Sequence, residues 1–110
     1  MNDKALRYLG LAARAGKVAV GVDECGKAAA KNKHAILILA SDAAINAQKR
    51  ASELAEGFNI SLLPVRYSKR QIGDCLGKAN GVALVMLTEK NLASAFQAAV
   101  QSEREQEELI

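Results

Sequence analysis

Residues 21–28 read Gly-Val-Asp-Glu-Cys-Gly-Lys-Ala, one position away from the phosphate-binding loop G-x-x-x-x-G-K-[ST]. The mismatch falls where it matters. Ala28 has no hydroxyl for a magnesium ion, and Asp23 and Glu24 set two carboxylates against the phosphates that backbone amides would have to cradle. A chain of 110 residues is also short for a nucleotide-hydrolysing domain. Read instead as a glycine turn feeding a helix, the octet places Lys27 one turn beyond both Glu24 (i+3) and Asp23 (i+4). Two acceptors and a charged donor then share the first turn. Such a cluster can donate to guanine O6 or N7 and accept from exocyclic amino groups, while a helix amino end favours a phosphate. The same residues equally suit a plain surface, with Asp23 as an N-cap and Glu24–Lys27 as an exposed ion pair. Both readings stand on these residues alone.

Other reactive side chains are sparse. Cys25 and Cys75 lie fifty positions apart without a C-x-x-C, and His34 is the only histidine. Metal ligation therefore has no ligand pattern here, and no cofactor is expected. Both cysteines are expected to be core thiols, and neither has a base assigned to it, so a Cys–His enzyme has little support. His34 opens an apolar run and is expected to be structural.

The charge distribution favours an anionic partner. Residues 1–100 carry 14 Lys/Arg against 8 Asp/Glu, and residues 101–110 carry Arg104 against four Glu, so a body of +6 precedes a tail of −3. A basic body suits nucleic acid, and also suits a surface kept soluble by charge. The aromatics are four, Tyr8, Phe58, Tyr67 and Phe96, with no Trp. The core must therefore be aliphatic. The apolar runs at 35–40 and 82–87 are too short to span a membrane, and the first residues do not resemble a signal peptide. These features predict a cytoplasmic protein.

The elements that would position the cluster follow from periodicity and punctuation. Helical spacing of Leu6, Leu9 and Ala13 predicts a helix over residues 2–15, stopped at Gly16. Residues 17–20 are a short strand candidate, broken by Gly21. Asp23 then caps a helix reaching about Lys31. The continuous apolar run 35–40 suits a strand buried on both faces. Ser41 or Asp42 would cap a helix over 44–56, ended by Gly57. Residues 60–65 form a strand that Pro64 consigns to an edge or an end. Ser68 caps a short helix to Leu76, ended by Gly77. A tight loop at 78–81 leads into the strand 82–87. Thr88 with Asn91 starts the last helix, with an apolar stripe of Leu92, Ala95, Phe96 and Ala99. The acidic residues 101–110 are expected to fray. Helices alternating with strands predict one domain, a sheet between helix layers.

Several motifs together carry a resemblance. Gly21-x-Asp23-Glu24-x-x-Lys27 resembles the G-x-N-E-x-x-K signature of the kink-turn RNA-binding proteins, the ribosomal 7Ae/30e family. Residues 35–42 are similar to that family's central strand and A-x-D turn, and Val65-Arg66-Tyr67-Ser68-Lys69 to the strand and S-K step before its short helix. Ile72-Gly73-x-x-x-Gly77 is similar to its L-G-x-x-x-G. The opening Leu9-Gly10-Leu11-Ala12-x-Arg14-Ala15-Gly16-Lys17 resembles the bacterial YlxQ-type branch. The resemblance covers residues 3–100, with the motifs in order.

It implies an α/β fold, a three-layer α-β-α sandwich with a central four-stranded mixed sheet. It also implies a monomeric, non-enzymatic binder of structured RNA, ribosome-associated, acting where tandem sheared G·A pairs bend a duplex. By position, Gly21, Asp23, Glu24 and Lys27 would meet those pairs, and Lys69 would reach a phosphate. Residues Lys78, Ala79, Asn80, Gly81 and Val82 would wall a flipped-out nucleotide. Lys31, with Lys33, Lys49, Arg50, Arg66 and Arg70, could extend the phosphate footprint or be solvated surface. Two positions depart from the family pattern. Asp23 stands where the usual residue is Asn, and Ala44 stands where relatives often carry an acidic residue. The alternative is therefore a protein-interaction adaptor on the same fold with weak or lost RNA binding.

Overall fold

The computed structural model describes residues 3–108. Its elements run α1 (Lys4–Arg14), β1 (Val18–Val20), α2 (Val22–Ala29), β2 (Ile36–Leu39), α3 (Ile45–Phe58), β3 (Ser61–Pro64), α4 (Lys69–Leu76), β4 (Leu84–Leu87) and α5 (Lys90–Glu108). The four strands make one sheet in the order β1-β4-β2-β3. β4 is antiparallel to both β1 and β2, and β3 is parallel to β2, so the sheet is mixed, as expected.

Side-chain alternation across the pleat divides the core in two. Ile36 and Ile38 of β2 and Val85 and Leu87 of β4 pack against Ala5, Leu9 and Ala12 of α1, Ile72 of α4, and Ala93, Phe96, Ala99 and Val100 of α5. On the other face, Leu37, Leu39, Leu84 and Met86 pack against Cys25 and Ala29 of α2 and Ala51 of α3. Every residue of β2 and β4 is buried, as their continuous apolar runs require. β3 is an edge strand ending at Pro64, opposite Leu39, where the missing N–H costs no ladder bond. Among the described residues no helix is long and apolar enough to cross a membrane.

Several boundaries differ from expectation, each for a local reason. Asp23 is not the N-cap of α2; Gly21 is, and the helix starts two residues earlier than that cap implied, at Val22. Ser41 and Asp42 do not cap α3, whose N-cap is Ala44 with no side-chain cap. The Asp42 carboxylate accepts instead from the Lys69 amide at 2.7 Å. Gly57 does not end α3: the helix continues to Phe58 and closes on Asn59, in the left-handed conformation at φ 54°. α2 stops at Ala29 rather than Lys31. The last helix is started by Glu89, whose carboxylate accepts from the Asn91 and Leu92 amides; those bonds hold its pKa below the usual range. The buried stripe of α5 is Ala93, Phe96, Ala99 and Val100, with Leu92 and Ala95 only partly buried.

The acidic segment does not fray at residue 101. α5 runs on to Glu108, because Arg104 donates to the Pro64 carbonyl at 2.6 Å and Glu103 accepts from the Tyr67 hydroxyl. Residues 109 and 110 of that expected tail, and residue 2 of the expected first helix, lie outside the described residues. His34 is exposed in the turn before β2, so it is not a core residue.

The Ser68 cap and Gly77 stop of α4 are as expected, with a complete Ser68–Gln71 capping box. The loop that follows α4 folds back onto it. A Cβ on Gly73 would stand 2.6 Å from the Lys78 carbonyl oxygen and 2.7 Å from the Gly81 Cα. Only a bare Cα admits that approach. Two stability measurements follow. Phe96→Ala empties the centre of one core and should cost about 3–5 kcal/mol by urea denaturation. Gly73→Ala forces two backbones apart and should cost about 1–3 kcal/mol, with the amide signals of residues 78–82 shifting most in its NMR spectrum.

Candidate nucleic-acid interface

Strand direction gathers the candidate residues. β1 and β2 both oppose β4, and β3 follows β2, so β1, β2 and β3 are mutually parallel. Their carboxyl ends lie at one end of the sheet. The helices that follow them, α2, α3 and α4, therefore all begin there. β4 starts there too, with the 78–82 loop before it. Cross-links at that end are direct: Gly21 N–H donates to the Leu84 carbonyl at 2.9 Å, and Ala40 N–H to the Ala83 carbonyl at 2.9 Å.

Gly21 sits at φ 89°, ψ 160°, a conformation reached essentially by glycine alone. Nothing lies within 4 Å of where its Cβ would be, so the backbone angle, not crowding, demands glycine. The turn aims α2 so that Cys25 enters the core while Asp23, Glu24 and Lys27 stay exposed. No side chain caps the first-turn amides of α2. Lys27 Nζ stands 3.5 Å from Glu24 Oε1, with the two side chains 78% and 62% exposed. An ion pair so open contributes little, which leaves both groups available to a ligand.

α4 brings the next residue. The Lys69 backbone is held on both sides: its amide donates to Asp42, and its carbonyl accepts from Val82 N–H at 2.9 Å. Gly81, at φ 82°, packs on it, with a Cβ there only 3.3 Å from Lys69. The partly exposed Lys69 side chain thus leaves a fixed base. Lys78, Ala79 and Asn80 are exposed beside it.

Two expected residues are placed differently. Val82 is 5% exposed and belongs to the core, so the apolar part of the loop surface is Ala79 rather than Val82. Lys31 is exposed but lies beyond the carboxyl end of α2, about 13 Å along the axis from Val22. Arg66 is engaged elsewhere, 3.5 Å from Asp3 and 3.7 Å from Glu103, and over the Tyr67 ring. Asp42 was not among the expected site residues, though the A-x-D pattern contained it. Its role depends on a partner 27 residues away, which no local reading supplies. Ile45, at the first position of α3, is 68% exposed at this same end.

The cysteines are poor nucleophiles. Burial pushes the Cys25 thiol up to about 12, and its S–H meets the Ala19 carbonyl. Cys75 is half-buried rather than fully buried, raised for the same reason, and donates to the Leu6 carbonyl. Among the described residues, no group of three or more His, Cys, Asp or Glu is placed to hold a metal ion.

With this geometry in hand, likeness to known proteins becomes informative. A structure of a protein with unknown function from Bacillus halodurans superposes with a TM-score of 0.80 at 25% identity, covering 90% of this chain and 98% of that one. The Giardia lamblia 15.5kD RNA binding protein superposes with a TM-score of 0.70 at 16% identity, covering 88% and 82%. No curated protein matches the sequence. The family described as Ribosomal protein L7Ae/L30e/S12e/Gadd45 matches residues 3–96, which take in α1 to β4 and the first turns of α5. The chain belongs to that family.

Proposed function

We propose that the gathered amino ends of α2 and α4, with the 78–81 loop, bind structured RNA at a kink-turn containing tandem sheared G·A pairs. One observation carries the reading: Asp23, Glu24 and Lys27 face solvent at the same end of the sheet as Lys69 and the loop. Membership of a ribosomal protein family and the fold shared with an RNA binding protein support it. The chain acts as a preformed dock. Lys27 donates to guanine O6 or N7, and the carboxylates accept from base amino groups. Lys69 neutralises a phosphate, and Lys78, Ala79 and Asn80 lie beside an unstacked nucleotide. A bent, irregular duplex offers these edges, which the deep major groove of regular A-form RNA hides. On this reading the protein works as a monomer in the bacterial cytoplasm, a YlxQ-type relative of the ribosomal proteins, on ribosomal or messenger RNA.

Gel shifts at fixed salt against a kink-turn RNA and a straight duplex of equal length test the proposal. Preference for the bent RNA is expected. Equal or absent binding overturns it and favours a protein-interaction adaptor. Lys27→Ala should weaken kink-turn binding by about 1–3 kcal/mol. Asp23→Asn should strengthen it by about 0.5–1.5 kcal/mol, because the amide regains a donor and sheds a charge near phosphates.

A further inference from the structure

An open groove of about 720 Å³ starts at the amino end of α2 and follows the first turns of α3. Val22 forms its α2 wall, and Asn46, Ala47, Lys49, Arg50 and Glu53 its α3 wall. The groove opens where it does because the helices touch farther along, with Leu54 Cδ2 only 3.7 Å from where a Cβ of Gly26 would stand. Val22 adjoins Gly21 and Asp23, so the groove is continuous with the proposed dock.

Its lining carries two cations against one carboxylate. Lys49 and Arg50 are exposed, and Glu53 lies one turn beyond both. Helical spacing of i+4 and i+3 favours ion pairing, yet neither cation is within 4 Å of a carboxylate among the described residues. Ala44 leaves the first amides of α3 without a side-chain cap at the same end, so the partial positive charge of that helix terminus adds to the two cations. A net positive wall, an open trough and continuity with the dock suit an extended polyanion rather than a small ligand.

We infer that this groove holds the sugar–phosphate backbone of one RNA strand leaving the bend, with Lys49 and Arg50 each neutralising a phosphate. The inference rests on the RNA-binding reading and extends its footprint onto α3. These contacts read no bases. They set affinity and register, while α2 reads the bend.

Salt titration separates the two claims. Fluorescence anisotropy with the kink-turn RNA and the straight duplex would be followed across a range of potassium chloride for the wild-type chain and three variants. In Lys49→Gln/Arg50→Gln, the slope of log K against log salt should become shallower by up to about two units, roughly 0.7–0.9 for each phosphate no longer neutralised. Affinity should fall about tenfold at low salt, with the preference for bent over straight RNA unchanged. Lys17→Gln/Lys90→Gln removes the same charge at the opposite end of the sheet, before β1 and after β4, and should leave the slope nearly unaltered. Lys27→Ala should reduce the preference. A wild-type slope in the groove variant, with its circular dichroism unchanged, overturns the groove while the dock survives. An equal change of slope in the distant variant also overturns it, because a diffuse field would then explain the salt dependence. A wild-type chain that binds no RNA defeats both claims and leaves the groove to a protein partner.

Discussion

The polarity of three strands governs the surface of this protein. Because β1, β2 and β3 all point the same way, α2, α3 and α4 must all begin at one end of the sheet. Each helix brings partial positive charge to that end, and α2 and α3 bring first-turn amides that no side chain caps. The antiparallel β4 sets out from that same end, which places the 78–82 loop before it among the three helix starts. A sheet with one of these strands reversed would keep the same core and scatter the same residues over two ends. The function proposed here therefore depends on topology first and on side-chain identity second.

Topology alone would leave a loose assembly, and close backbone contacts tighten it. Asp42, leaving β2, holds the amide of Lys69 at the start of α4, and the Lys69 carbonyl holds Val82 at the entry to β4. Gly73 and Gly81 let the loop lie against α4 at separations a side chain would forbid. The β2 end, the α4 start and the loop thus form one unit in which the loop cannot shift without disturbing Lys69. Preorganisation of this kind lowers the ordering cost of binding. It also explains why glycine spacing in this region is more restrictive than charge. A lysine can be moved a turn and still find a phosphate, whereas Gly73 has no substitute that preserves the packing.

Much of this was legible in the sequence, and what was not has a common cause. Fully buried strands announce themselves as unbroken apolar runs, so β2 and β4 could be placed with their helices on both sides. Ser68 and Gly77 mark α4 because their effects are local. The failures involve residues with distant partners. Asp42 reads as a helix cap until Lys69 is brought beside it. Residues 101–108 read as a fraying tail until Tyr67 and Pro64 offer Glu103 and Arg104 something to hold. Val82 reads as surface because nothing in a loop sequence says which side faces the core. Motif order identified the candidate face, but the groove along α3 has no sequence signature. It exists because α2 and α3 separate above Gly26.

Carboxylates on a face proposed to meet a polyanion need a physical justification, and the first turn of α2 provides one. Asp23 and Glu24 sit where the helix terminus is partly positive, so the folded chain tolerates them at the surface. A regular duplex presents mainly phosphates to that face, and two acceptors facing phosphates repel. A bend that turns base amino groups toward α2 replaces the repulsion with hydrogen bonds. In the proposed complex the same pair of residues would penalise the wrong RNA and reward the right one, which is how discrimination usually exceeds what attraction alone can supply. Lys49, Arg50 and Lys69 cannot do this, since they favour any phosphate. On the proposed reading, affinity and selectivity fall to different residues of one surface: the cations of α3 and α4 for the first, the first turn of α2 for the second.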